Sequence, residues 1–153
     1  MLAYTWWIDK PSVLASSNPS DEDLARHRTS GFSVLVSLLE EKRQPPRYDK
    51  LSAALAGWAI YQVPIEEGGA ASLDQLSEFS ARLRHFPEGT KILIHCESGL
   101  GRSAFMGAVY WMAKGLKASE AIARVGETGI DQDWLTPQRE NRLHEYEVRS
   151  IAG

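Results

Sequence analysis

The chain has 153 residues, 43% hydrophobic and 24% charged, with a formal net charge of -3. That is the size and balance of one globular domain with material for one core, expected over 1–153. No basic stripe suits nucleic acid, slight acidity disfavours an anionic membrane surface, and no run of about 20 apolar residues could cross a bilayer.

At the N-terminus, the apolar run within Met1–Lys10 is too short, and its flanks are wrong, for a signal peptide. Asn18-Pro19-Ser20-Asp21-Glu22-Asp23 reads as a helix start, with Ser20 as N-cap, Asp23 three positions on and acids in the first turn. This helix runs to about Ser30, where Gly31 stops it. Phe32 to Leu38 is a short, nearly continuous apolar run that suits a strand covered on both faces. The charged, proline-bearing stretch from Glu40 to Arg47 is a loop, and Arg43, Arg47 and Lys50 read most simply as solvated. Asp49 to Trp58 reads as a short helix and Ala59 to Val63 as a strand.

Ser72 to Phe86 carries Leu73, Leu76, Phe79 and Leu83 at helical spacing, and Pro87-Glu88-Gly89 ends it. Lys91 to Cys96 is a buried-strand pattern, Glu97 to Gly101 a glycine-containing turn, and Arg102 to Lys114 an apolar helix closed by Gly115. Gly107 allows this helix a close approach to the sheet. Two more helices span about Ser119–Thr128 and Thr136–Ser150. The alternation implies an α/β fold, a mostly parallel central sheet with helices on both faces. Ligands in such sheets bind beyond the carboxyl ends of strands, where the Cys96 turn lies.

The chemistry concentrates in His95-Cys96-Glu97-Ser98-Gly99-Leu100-Gly101-Arg102-Ser103. A strand feeds a tight turn and a helix leaves it, so backbone N–H groups converge into an anion nest backed by a helix N-terminus. Gly99 and Gly101 permit the unusual dihedrals and close approach that a nest needs. The same positive field favours a thiolate at Cys96. Arg102 offers a planar charged fork for two phosphate oxygens, and Ser103 a hydroxyl for the sulfur as it leaves. Cys96 is the only cysteine, so no intramolecular disulfide can form, and no His/Cys cluster suggests zinc. A cytoplasmic location agrees with a reduced lone thiol.

This motif resembles the signature loop of the protein tyrosine phosphatase superfamily: histidine, cysteine, five residues, arginine, then serine or threonine. The resemblance to compact dual-specificity phosphatases extends to Trp7-Ile8, Leu14 to Ser20, Gly31 to Leu38, and Val63-Pro64-Ile65-Glu66-Glu67-Gly68-Gly69, which is similar to the general-acid loop. It implies that Glu97 to Arg102 bind phosphate, that His95 buttresses the loop, and that Gln138 helps place the hydrolytic water. Where the family carries aspartate as general acid, the aligned residue here is Glu67, with Glu66 beside it as the second candidate and Asp74 and Asp131 as fallbacks. Glutamate has a similar pKa and one more methylene, so it can serve if the loop compensates.

The resemblance implies phosphomonoester hydrolysis through a phosphocysteine, with phosphotyrosine and then phosphoserine or phosphothreonine as substrates and no cofactor or metal. Glu97 would repel a polyanionic lipid headgroup. The expected partner is a phosphorylated protein or small phosphomonoester, met by a monomer, with no nucleic acid and no membrane. The Glu67 departure motivates a second reading, a phosphate-binding module with little turnover. A rhodanese-like or arsenate-reducing enzyme is the third, and it explains less of the chain.

Overall fold

The computed structural model describes residues 2–152; of the expected domain, residues 1 and 153 lie outside the described residues. Five strands, β1 (Thr5–Asp9), β2 (Val13–Ser16), β3 (Phe32–Ser37), β4 (Ala59–Gln62) and β5 (Lys91–His95), form one sheet in the order β1-β2-β5-β3-β4. β1 and β2 are an antiparallel hairpin, while β2–β5, β5–β3 and β3–β4 are parallel. The sheet is therefore mixed but mostly parallel, as expected. The hairpin adds two strands that periodicity alone did not predict.

Side-chain alternation along the strands creates two cores. Leu14, Phe32, Leu35 and Leu93 point to one face, where they meet Leu24 of α1 (Asp21–Thr29) and Ala53 of α2 (Lys50–Leu55). Val13, Ala15, Val34, Val36, Ile92 and Ile94 point to the other, larger core. It is covered by α3 (Leu73–His85), α4 (Gly101–Ala113), α5 (Ala118–Gly126) and α6 (Pro137–Ala152). Strands buried on both faces explain why β3 and β5 read as continuous apolar runs.

Local chemistry sets the helix ends. Ser20 caps α1 in a reciprocal box with Asp23, and Ser72 caps α3 in another with Gln75. Asp49 caps α2 by accepting from the Ser52 amide. A 3₁₀ turn at Gln132–Trp134 precedes α6. α4 is buried along most of its length, and a Cβ on Gly107 would lie 3.3 Å from Ile8 Cδ1, so glycine there permits the expected close approach to the sheet. No helix among the described residues is long and apolar enough to cross a membrane.

Candidate active site

β5 ends at His95, and α4 begins at Gly101, so the turn from Cys96 to Leu100 stands at the carboxyl end of the central strand. Three of its carbonyls are engaged by donors outside the turn. Glu97 O accepts from the Asn18 amide at 3.0 Å, Gly99 O from Trp6 Nε1 at 2.7 Å, and Leu100 O from the Ala104 amide at 2.7 Å. Leu100, the N-cap of α4, makes no side-chain cap. A leucine has nothing to offer the first helical N–H groups, so they stay free for an anion.

Gly99 has φ +84°, and a Cβ on it would fall 2.5 Å from the Ser17 backbone nitrogen. Both the dihedral and the contact require glycine. Gly101 has ordinary helical geometry, but a Cβ there would press on Arg139 Nη1 at 3.1 Å. Of the two glycines expected to relieve the backbone, only Gly99 does so through its dihedral.

Cys96 is buried, and its sulfur accepts hydrogen bonds from the Gly99 amide at 3.3 Å and Ser103 Oγ at 3.2 Å. Arg102 is also buried; Nη1 donates to Ile65 O at 3.1 Å and Nη2 to Gln44 Oε1 at 2.8 Å. Glu97, Ser98 and Leu100 are exposed at the mouth. Glu97 Oε1 accepts from Asn18 Nδ2 at 3.0 Å.

Beneath the turn lies fully buried His95. Its Nδ1 sits 3.4 Å from Cys96 O and its Nε2 2.8 Å from the Tyr48 hydroxyl. A carbonyl oxygen can only accept, so Nδ1 carries the proton and Nε2 accepts from Tyr48. Burial pushes His95 down to about 4; the Cys96 carbonyl opposes this and the Arg102 charge adds to it. The ring is neutral at pH 7. Burial likewise pushes Tyr48 up to about 12.

The segment between β4 and α3 arches over this floor. Glu66 and Glu67 are both exposed, and Glu67 Oε2 accepts from Gln44 Nε2 at 2.6 Å, while no side-chain hydrogen bond is seen for Glu66 among the described residues. Glu66 closes the local turn with its carbonyl, which accepts from the Gly69 amide at 2.8 Å. The fallback acids lie elsewhere. Asp74 pairs with Arg149 at 2.7 Å, and Asp131 caps the 3₁₀ turn by accepting from the Asp133 amide at 2.9 Å.

Gln138, in the first turn of α6, is exposed. Its neighbour Arg139 is buried, with Nε donating to Gly69 O at 2.9 Å and Nη1 to Trp134 O at 2.9 Å. Burial lowers the pKa of Arg139, the Cys96 sulfur counters that, and the Arg102 charge reinforces it. Sequence reasoning missed Arg139, Gln44, Tyr48 and the site role of Trp6. Trp6 and Arg139 stood beside quoted motif residues, whereas nothing marked Gln44 within a charged loop.

Brought together, the arrangement offers a sulfur nucleophile, a nest of N–H donors, a guanidinium and a carboxylate above them. The chain is similar to known phosphatases. A family model described as "Tc-R-P: Polymorphic toxin system, DSP-PTPase phosphatase" matches residues 11–116. Tk-PTP in its active form is 30% identical, with a TM-score of 0.77 over 95% of this chain and 97% of that one. PTPMT1 in complex with PI(5)P gives a TM-score of 0.84 at 20% identity over 97% of both chains. Human DUSP28 gives 0.72 at 20% identity over 97% and 95%. The last two are alike in fold alone. No curated protein matches the chain by sequence.

Proposed function

The chain belongs to the DSP-PTPase phosphatases, and from that premise we propose that it hydrolyses phosphomonoesters with Cys96 as the nucleophile. In the first step the Cys96 thiolate attacks phosphorus in line with the departing oxygen. The phosphorus–oxygen bond breaks as the sulfur–phosphorus bond forms, and protonated Glu67 gives its proton to the leaving phenol or alcohol. Arg102 and the amides of the turn hold the equatorial oxygens. In the second step ionised Glu67 takes a proton from water, which attacks phosphorus and expels sulfur. The Ser103 hydroxyl stabilises the departing thiolate. Phosphate leaves, and Glu67 is again protonated.

The observation that carries this reading is the sulfur of Cys96 held between the Gly99 amide and the Ser103 hydroxyl at the mouth of an uncapped helix. The contact from Gln44 supports Glu67 over Glu66 as the acid. Neutral, buried His95 suits a buttress rather than a proton carrier. The substrates proposed are phosphotyrosine, then phosphoserine and phosphothreonine, in proteins or small phosphomonoesters. PTPMT1 has been solved with a phosphoinositide, but here exposed Glu97 puts negative charge on the rim, which disfavours a polyanionic headgroup.

Hydrolysis of p-nitrophenyl phosphate without added metal, from about pH 4.5 to 8, tests the proposal by comparing wild type with Cys96→Ser and Glu67→Gln. Cys96→Ser abolishes turnover, and Glu67→Gln lowers it by about 100-fold while removing the fall in rate as pH rises that a required protonated acid imposes. Turnover that survives Cys96→Ser would overturn the mechanism. A wild type that binds phosphate without hydrolysing it would restore the binding-module reading.

A further inference from the structure

Gln44 touches both groups that the reaction would use. Its carbonyl oxygen accepts from Arg102 Nη2 at 2.8 Å, and its amide nitrogen donates to Glu67 Oε2 at 2.6 Å. The orientation of the amide follows from Arg102, because a guanidinium can only donate; the amide oxygen therefore faces Arg102 and the amide nitrogen is left to donate to a Glu67 carboxyl oxygen. We infer that Gln44 is a positioning residue that fixes Arg102 and Glu67 at once and keeps them from pairing with each other. The inference rests on the phosphatase reading above.

Two opposite charges at the mouth of one site attract, and a direct ion pair would cancel the charge meant for phosphate and immobilise the acid. The ion pairs of the described residues involve neither group. A neutral amide satisfies both partners without adding charge. It also leaves Arg102 able to act. Of the five guanidinium N–H donors, one goes to Gln44 and one to Ile65 O, so three remain for phosphate oxygens. On the other side, Glu67 is exposed, and a free glutamate samples many rotamers. The bond from Gln44 restrains it, which offsets the extra methylene relative to the aspartate usual at this position.

Gln44 can do this because its own loop is tied down. The Gln44 amide donates to Glu40 O at 2.9 Å, Pro45 O accepts from Asn18 Nδ2 at 3.1 Å, and the Arg47 amide donates to Asn18 Oδ1 at 3.1 Å. Asn18 is the residue that also holds Glu97. The loop bearing Gln44 and the turn bearing Cys96 therefore share one anchor.

The test replaces Gln44 with methionine, which keeps the length and loses both hydrogen bonds. Aryl phosphates differing in leaving group are compared within each variant, so the ratio does not depend on how much protein is folded. Gln44→Met lowers kcat for phenyl phosphate about tenfold more than for p-nitrophenyl phosphate, because a poor leaving group needs the acid more. In a Glu67→Gln background that difference vanishes, since Gln44 acts through Glu67. In a Cys96→Ser background, Gln44→Met weakens tungstate binding about tenfold by calorimetry, because Arg102 loses its orientation.

A leaving-group ratio unchanged by Gln44→Met in an enzyme that depends on Cys96 would overturn the acid half of the inference and leave the phosphatase reading standing. A wild type without Cys96-dependent turnover would overturn that reading and the acid half together. Unchanged tungstate affinity would overturn the arginine half on its own.

Discussion

Two segments meet over Cys96, and they are held by opposite means. The turn from Cys96 to Leu100 is short and bounded at both ends by regular structure, β5 before it and α4 after it. Its shape comes from a glycine dihedral, engaged carbonyls and the helix start. The segment from Val63 to Ala71 also runs from a strand to a helix, β4 to α3, but it is longer, and most of the ties to its carbonyls come from side chains distant in sequence. Gln75 Nε2 donates to Pro64 O at 2.8 Å, Arg102 to Ile65 O, Arg139 to Gly69 O, and Arg142 to Ala71 O. The first segment takes its shape mainly from local geometry, with Trp6 and Asn18 securing two of its carbonyls, whereas the second is held mostly by contacts that the fold assembles. In the proposed mechanism, the nucleophile is placed largely by sequence-local geometry, and the acid only once the helices have packed.

Arg102 belongs to both segments, so its replacement should have the largest effect. Lysine keeps the charge but has one nitrogen, which cannot reach Ile65 O and Gln44 Oε1 while also forking phosphate. Arg102→Lys is expected to lower kcat/KM for p-nitrophenyl phosphate by about 100- to 1,000-fold, the range for losing an oriented transition-state donor. A lysine variant that retained most of the activity would break the comparison, because it would show that the two segments do not depend on a shared fork.

Next in size is a pH effect centred on the floor of the first segment, to which half-buried His27, also lowered by burial, adds in the same direction. His95 sits near 4 in the folded protein against an ordinary 6.5. The unfolded chain therefore binds its proton first as pH falls, and folding loses stability from 6.5 down to about 4. Above 6.5 neither state is protonated there and the contribution is constant. The full gap corresponds to about 3 kcal/mol. Asp23 and Asp49, held below the ordinary 3.8, begin to cost stability only under more acidic conditions. Urea unfolding measured across this window should show the loss in wild type and a flatter profile in His95→Asn. Equal slopes would place the acid sensitivity outside the phosphate turn.

The same contrast explains what could be read from the chain before its structure. Cys96 to Ser103, β3, β5, the capped start of α1 and the span of α3 were legible because their determinants lie within a few residues of each other. Tyr48 meets His95 across 47 positions, Gln44 meets Arg102 across 58, Arg139 meets Gly69 across 70, and Trp6 meets Gly99 across 93. Only the packed sheet brings these pairs together. The β1–β2 hairpin was likewise missed as strands, because β2 becomes a buried strand by pairing with β5. In α6, family resemblance drew attention to Gln138, whereas helical phase buries Arg139 and leaves Gln138 at the surface. Glu67 was legible as the aligned candidate, ahead of Glu66, and its contact with Gln44 is support that the sequence did not offer.

Arg139 gives the smallest of these effects and the sharpest separation between the two segments. Its guanidinium joins Gly69 O to Trp134 O, so it links the acid-bearing segment to the start of α6 without donating to the Cys96 sulfur. Replacement by methionine fills much of the same volume but leaves two carbonyls without that donor. Holding the acid less firmly displaces it by a fraction of its reach, and kcat is expected to fall about tenfold. The fall should be steeper for phenyl phosphate than for p-nitrophenyl phosphate, because proton donation is impaired most. Tungstate affinity in a Cys96→Ser background should fall less than the rate for phenyl phosphate, since the Cys96 turn keeps its own supports and loses only a nearby charge. If Arg139→Met instead weakened tungstate binding as much as it slowed phenyl phosphate, the contact with Gly101 would matter more than the tie to Gly69, and the two segments would be one mechanical unit.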